Sequence, residues 1–480
     1  MNKLKSIGRN EYLFFSIAIL IFILANIVGY WKGIPFIALI PIVLAFFAAT
    51  IYDYRLIFFS LLVFLSVSID MSIGPLSLSV PTEPLLMLGT AIWLVLLLNK
   101  RSNIASYINN PLVVLLLLQL LLFTFNIFIS KEPTLSLKYL LSKLWFFGGF
   151  VFFPILILKD EKSYKAAFWS FFIPLMLSVL YTVINHAKTG FSFDEVNQSA
   201  RPLYANHVIY ACTLGLIFHF AVAALGWYKE QPKIRLVLYT SILILIFAII
   251  TSYTRTTWIA LVGAGLSIIV FKSKFLKLSF IIGIIGLTVF CYKLVHNNNY
   301  MKYAPNYTNT NFNKDDFGKH MQATVELRDV SGMERVYRWV AAINLIQHHF
   351  WLGTGNNTFY PTYKTYANPS FVTNVSQNPE HSSTHNYFLL VFCDQGVFGF
   401  LLFSILYLWA MLKTKAIYLS TNDKFIRTLM TASFAMLVLF LVHLFLGDMI
   451  EVEKNGGLFL LVLSFIISSE MRIEKAALTL

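Results

Sequence analysis

"PLVVLLLLQLLLFTFNIFIS", residues 111–130, runs for twenty residues without a charged side chain. At 1.5 Å per residue a helix of that length is about 30 Å long, the thickness of a bilayer's hydrocarbon core. Comparable apolar runs recur from end to end of the chain. Candidate spans fall at 12–30, 34–52, 56–69, 80–98, 111–130, 139–158, 166–184, 204–227, 236–253, 256–271, 278–295, 386–412, 428–447 and 456–470. The third and the last are short, so the expected number is twelve to fourteen. The first run is long and is followed by further spans, so it reads as a span and not as a cleavable leader.

Composition agrees with the runs. Of 480 residues, 58% are hydrophobic and 12% charged, more apolar surface than a soluble domain could hide. The expected fold is therefore an all-α polytopic membrane protein forming one integral domain over 1–480. A net charge of +14 argues against nucleic acid as a partner, because the basic residues are scattered over many short loops. Membrane lipids are the surroundings the sequence implies. Cys212, Cys291 and Cys393 lie in or beside apolar segments and read as small core residues.

Charge also sets an orientation. With the N-terminus cytoplasmic, alternate loops carry 21 of the 37 lysines and arginines, and the opposite short loops and span ends carry nine. The excess matches the positive-inside rule and puts both termini in the cytoplasm. The other seven basic residues lie in one long loop, 296–384, on the outer side. A loop of that length is usually functional or disordered. Its first part is polar, "NNNYMKYAPNYTNTNFNKDDFGKH". Its second part, "GMERVYRWVAAINLIQHHFWLG" (332–353), has helical apolar spacing at Val336, Trp339, Val340, Ile343 and Ile346, and "LGTGNNTF" closes it with glycines. An amphipathic helix near the outer membrane surface is expected there.

Several polar side chains stand at that outer boundary. His385 ends the loop in "STHNYFLLVFCDQGVFG" (383–399), with Asn386 after it and Gly396 and Gly399 further on. The glycines allow a helix break or close helix packing. The histidine reads either as an interfacial cap or as a general base that takes a proton from a hydroxyl. Arg255, in "TSYTRTTWIAL", sits in a very short connection. It reads as a snorkelling side chain or as a functional cation. Arg335 and Arg338 share one helix face and suit either headgroups or an anionic ligand. Arg201 adds another outer charge. His207 reads as a hydrogen-bonded residue inside a span, and His348, His349 and His381 as surface groups. None has metal-site spacing. Forked guanidinium groups at membrane depth suit a lipid-linked diphosphate and the charge that develops as it leaves.

These segments resemble the O-antigen ligase and polymerase superfamily. "HNYFLLVFCDQGVFG" is similar to its pattern of His, then Asn, Ser or Gln, nine residues, and Gly-x-x-Gly. "RVYRWVAAINLIQHHFWLGTGNNTF" resembles the preceding Arg-x-x-x-Trp segment, with Phe-Trp-Leu-Gly-Thr-Gly at its end where Pro-Leu-Leu-Gly-x-Gly is usual. "TRTTWIALVGAG" is similar to the Ser-Arg-Gly-x-Trp stretch, with Thr254 for the serine and Thr256 for the glycine. The resemblance is clearest over 250–400, the expected catalytic core. It implies a metal-independent, inverting glycosyltransferase of the GT-C type with no cofactor. The enzyme would carry a glycan from undecaprenyl diphosphate to a glycolipid or glycan acceptor on the periplasmic face of the bacterial inner membrane. His385 would activate the acceptor hydroxyl. Arg255 and Arg335 would hold the diphosphate, with Arg338 the alternative one turn away. Asn386, Trp339 and Arg201 would line the substrate.

A ligase, a polysaccharide polymerase and a protein O-oligosaccharyltransferase share this donor chemistry and differ in acceptor. A lipid-linked glycan transporter is the reading outside the class, but no matching halves are visible and the charges gather at one surface, not at midplane. A metal-dependent transferase would want acids in an early outer loop, where "IDMSIGPLSLSVP" offers only Asp70.

Overall fold

The computed structural model describes residues 24, 46, 49–73, 76–99, 109–303, 330–372, 376–377 and 383–478. By internal contacts the chain divides into two compact units, Met1–Ser60 and Leu61–Leu480. Its helices are α1 (Arg55–Leu65), α2 (Thr82–Leu98), α3 (Pro111–Ile129), α4 (Pro133–Ile157), α5 (Glu161–Ala187), α6 (His207–Trp227), α7 (Pro232–Thr251), α8 (Arg255–Lys272), α9 (Leu276–Val295), α10 (Val330–His348), α11 (Tyr387–Ser420), α12 (Lys424–Leu446) and α13 (Glu453–Leu478). Ten of these, α3 to α9 and α11 to α13, are long and apolar enough to cross a bilayer. The protein is an all-α polytopic membrane protein. The expected spans 12–30 and 34–52 lie outside the described residues, apart from Leu24, Phe46 and 49–52.

Two expectations change, one near each end of the chain. The span expected at 56–69 is an 11-residue helix, α1, too short to cross alone. It ends because the chain turns into a β-hairpin, Ile69–Ile73 with Leu76–Val80, antiparallel and with Ile69 opposite Val80. The alternation in "IDMSI" and "LSLSV" is the period of a strand. Asp70 and Ser79 face each other across it, and the Ser79 hydroxyl donates to the Asp70 carboxylate at 2.5 Å. At the other end of the chain, the short run 456–470 is part of a full span, Glu453–Lys475.

Outward faces of the bundle are apolar, as lipid requires. Leu121 in α3, Leu243 in α7 and Ile259 in α8 are each 65–68% exposed, and almost none of α9 is covered by protein. At the centre, α12 packs against α6, α8 and α11. Buried hydroxyls and amides tie these helices together, as they do where apolar contact alone gives no preference. Thr213 donates to Asn455 at 2.8 Å, Tyr407 to the Leu437 carbonyl at 2.6 Å, and Thr257 lies 3.1 Å from His443 Nε2.

The amphipathic helix is α10. Its buried apolar residues are Tyr337, Val340, Ala341, Ala342 and Leu345, and they pack on Phe359, Tyr363, Phe371 and Cys393. Val336 and Ile346 flank them. Phe359, Tyr363 and Phe371 of the long loop therefore cover part of the helix expected near the membrane surface.

Candidate active site

The site grows from one interlock. After α10 the chain reverses through residues 349–358 and lies across α11 where that helix is broken. The Thr354 amide donates to the Cys393 carbonyl at 3.0 Å, the Gly355 amide to Asp394 at 2.9 Å, and the Val397 amide to Phe350 at 2.9 Å. The Asp394 carboxylate accepts from the Asn357 and Thr358 amides at 2.8 and 3.3 Å. Backbones this close leave no room for a side chain. A Cβ on Gly396 would stand 2.2 Å from the Trp351 oxygen, and one on Gly353 would stand 2.4 Å from the Asp394 carbonyl carbon. Gly396 has φ 65° and ψ −165°, a conformation almost confined to glycine. Gly353 of "LGTG" and Gly396 of "GVFG" are thus two halves of one contact, while Gly355 makes room for Ser130. Asn356, fully buried, fixes the same loop to the bundle by donating to the Phe123 carbonyl of α3 at 2.8 Å and accepting from Ser136 of α4 at 3.0 Å.

His385 stands at the start of broken helix α11. Asn386 caps that helix, its side-chain oxygen accepting from the Leu389 amide at 3.1 Å. Thr384 closes a tight turn onto Asn386, donating to its carbonyl at 2.6 Å and accepting from its amide at 3.1 Å. His385 is held at φ 52°, a left-handed conformation that histidine, asparagine and aspartate tolerate better than most residues. Burial pushes its imidazole pKa down to about 3, and the guanidinium groups of Arg335 and Arg338 push it the same way. The ring is therefore neutral at any physiological pH, with a nitrogen lone pair available.

Arg338 is 3% exposed and locked in place. Its Nη2 pairs with the Glu334 carboxylate at 2.8 Å, and its Nη1 donates to the Ser383 carbonyl at 3.4 Å. Ser383 in turn donates to Asp448 at 2.7 Å. Arg335, one turn earlier, is half-buried and acts on the same imidazole. Trp339 is half-buried beside Arg338 in the chain, and its indole N–H has no hydrogen-bond partner among the described residues.

Arg255 and Arg201 stand further off. Arg255 is the first residue of α8. Two residues on, Thr257 meets His443 near the C-terminal end of α12, and Asp448 follows that end to meet Ser383. Arg255 and His385 thus occupy the same end of the bundle. Arg201 lines a neighbouring cavity of about 540 Å³ with Lys454, Asp70, Glu451 and Glu453. Glu451 pairs with Lys143 at 2.8 Å and accepts from Tyr139 at 3.2 Å. Asp70 has acidic company here that its own stretch of sequence does not supply.

The structure brings His385, Arg335 and Arg338 together and keeps Asn386 as a backbone cap. Glu334, Asp394 and Asp448, which position them, were missed by sequence reasoning. Glu334 had a legible signal, since it lies four residues before Arg338 on one helix. Asp394 and Asp448 had none, because their partners come from distant parts of the chain.

Residues 240–404 match the family model described as O-Antigen ligase. This stretch of the chain is similar to the O-antigen ligase superfamily. No curated protein matches the sequence. The O-antigen ligase region begins in α7 and ends in α11. It contains Arg255, Arg335, Arg338, Trp339, His385, Asn386 and both glycine pairs, and it leaves Arg201 outside. The family implies a glycosyltransferase-like enzyme with lipid-linked glycan and glycan-acceptor partners.

Proposed function

We propose that this protein transfers a glycan from undecaprenyl diphosphate to the hydroxyl of an acceptor such as lipid A-core, on the periplasmic face of a bacterial inner membrane. The observation that carries the reading is a neutral imidazole flanked by two guanidinium groups at one end of a lipid-facing bundle. His385 takes the proton of the acceptor hydroxyl. The oxygen attacks the anomeric carbon from the side opposite the diphosphate, a new C–O bond forms, and the bond to the diphosphate oxygen breaks with inversion. The electron pair leaves with the diphosphate, and Arg335, Arg338 and Arg255 stabilise its charge. No metal is assigned a part.

The same arginines couple donor binding to base strength. In the free protein they disfavour the imidazolium. A bound diphosphate offsets their charge, so the imidazole becomes a stronger base only when the donor is in place. Both termini lie in the cytoplasm in this account, which the excess of basic residues on that side supports. A polymerase or a protein O-oligosaccharyltransferase would use the same donor end with another acceptor. The test is to mix purified protein in detergent with polyprenyl-diphosphate glycan, each class of acceptor, and a chelator. Transfer to lipid A-core with chelator present is expected. Transfer only in sealed vesicles, or only when metal is restored, would refute the reading.

A further inference from the structure

At the end of the bundle away from His385, a cavity of about 840 Å³ opens among the C-terminal ends of α6 and α8 and the first turns of α12. α11 alone separates the two ends by on the order of 50 Å of helix. Four cations line the mouth of this cavity: Lys229, Lys272, Lys424 and Arg427. Arg427 is steadied over the Tyr418 ring at 4.3 Å. Two carboxylates also line it, and both are engaged elsewhere. Glu161 pairs with Lys165 at 2.5 Å, and Asp423 pairs with Arg472 at 3.1 Å while capping α12. Among the described residues, none of the four cations forms an ion pair with a carboxylate. Deeper in, the walls are apolar: Phe218, Val222, Leu261 and Ile268. Nothing stands within 4 Å of where a Cβ on Gly265 would be, so that wall is open.

Uncompensated cations above an apolar slot, on the side where the chain's basic loops gather, match one chemistry. The ligand has a phosphate head and a hydrocarbon tail, and it comes from the leaflet the loops face. We propose that this cavity binds an anionic glycerophospholipid, its phosphate among Lys229, Lys272, Lys424 and Arg427 and one acyl chain against the α6–α8 wall. The site is independent of glycan transfer and stands or falls separately from it.

The test compares lipid binding by native mass spectrometry and by thermal shift, using phosphatidylglycerol, phosphatidylcholine, soluble glycerol phosphate and inorganic phosphate. Phosphatidylglycerol is expected to bind and stabilise the protein most. A Lys424→Gln/Arg427→Gln variant should lose affinity for it on the order of 30-fold, from two charges near a membrane surface. Gly265→Leu keeps all four charges and fills the slot. It replaces an unstrained helical glycine with a better helix former, so it should fold, and it should lose the lipid. Equal binding of phosphatidylcholine would overturn the proposal. So would stabilisation by the soluble phosphates as large as that by the lipid, or unchanged lipid binding in Gly265→Leu.

Discussion

Replacing Gly396 with alanine tests whether the interlock holds the site. At φ 65° and ψ −165° an L-residue carries strain of about 1–3 kcal/mol. A methyl group 2.2 Å from the Trp351 oxygen and 2.4 Å from its carbonyl carbon adds overpacking, typically another 1–3 kcal/mol. Against this, three backbone hydrogen bonds and the two from the Asn357 and Thr358 amides to the Asp394 carboxylate join the loop to α11, each contributing a net of about 1–3 kcal/mol. The strain offsets much of that, so alanine is expected to raise the undocked population of the loop while the bundle stays folded. Hydrogen exchange in detergent reads this directly. The amides of Thr354, Gly355 and Val397 should exchange at least about 30-fold faster, the equivalent of about 2 kcal/mol, and glycan transfer should fall with them. Amides in the middle of α6 and α12 should not change. Gly263→Ala is the control. No atom lies within 4 Å of its would-be Cβ, so alanine there should be neutral or stabilising by up to about 1 kcal/mol. Unchanged protection at those three amides in Gly396→Ala would refute the reasoning.

Four further expectations follow from the site. Glu334→Gln leaves the buried Arg338 guanidinium without its carboxylate and should lower stability by about 3 kcal/mol, seen as a fall in Tm; adding Arg338→Met should restore much of the stability without restoring transfer. The His385 ring, with its pKa lowered to about 3, should give kcat/KM no acid limb near pH 6.5, and Arg335→Gln should move that limb upward by removing a cation that disfavours the imidazolium. Because the unfolded chain binds that proton more readily than the folded one, stability should fall as pH drops from 6.5 toward 3, and His385→Asn should lose less over that range. Arg255→Lys keeps the charge and loses the fork, so transfer should drop about tenfold, and an unchanged rate would mark Arg255 as a snorkelling residue.

Much of this molecule can be read from its sequence, for a definite reason. Bilayer thickness fixes span length, so α3, the pair α8 and α9, and α12 fall within a few residues of their expected bounds. The hairpin at 69–80 went unread because its alternating pattern is short and lies between apolar runs. His385, Arg335 and Arg338 were legible because their chemical types are rare beside apolar sequence. The use of the glycines was not. Spacing shows that Gly353 and Gly396 permit close approach, but nothing in one dimension shows that they approach each other. Asp394 was equally hidden, since its partners, the Asn357 and Thr358 amides, lie 36–37 residues away. Glu451 and Glu453, two of the acids around Asp70, come from the far end of the chain.

The central claim, that the His385 imidazole activates the acceptor, is tested most directly by one substitution. Asparagine accepts the left-handed backbone that His385 adopts and cannot act as the base. Purified wild-type and His385→Asn proteins should bind polyprenyl-diphosphate glycan equally, and only the wild type should pass the glycan to an acceptor in detergent. Transfer by His385→Asn at the wild-type rate would contradict the account.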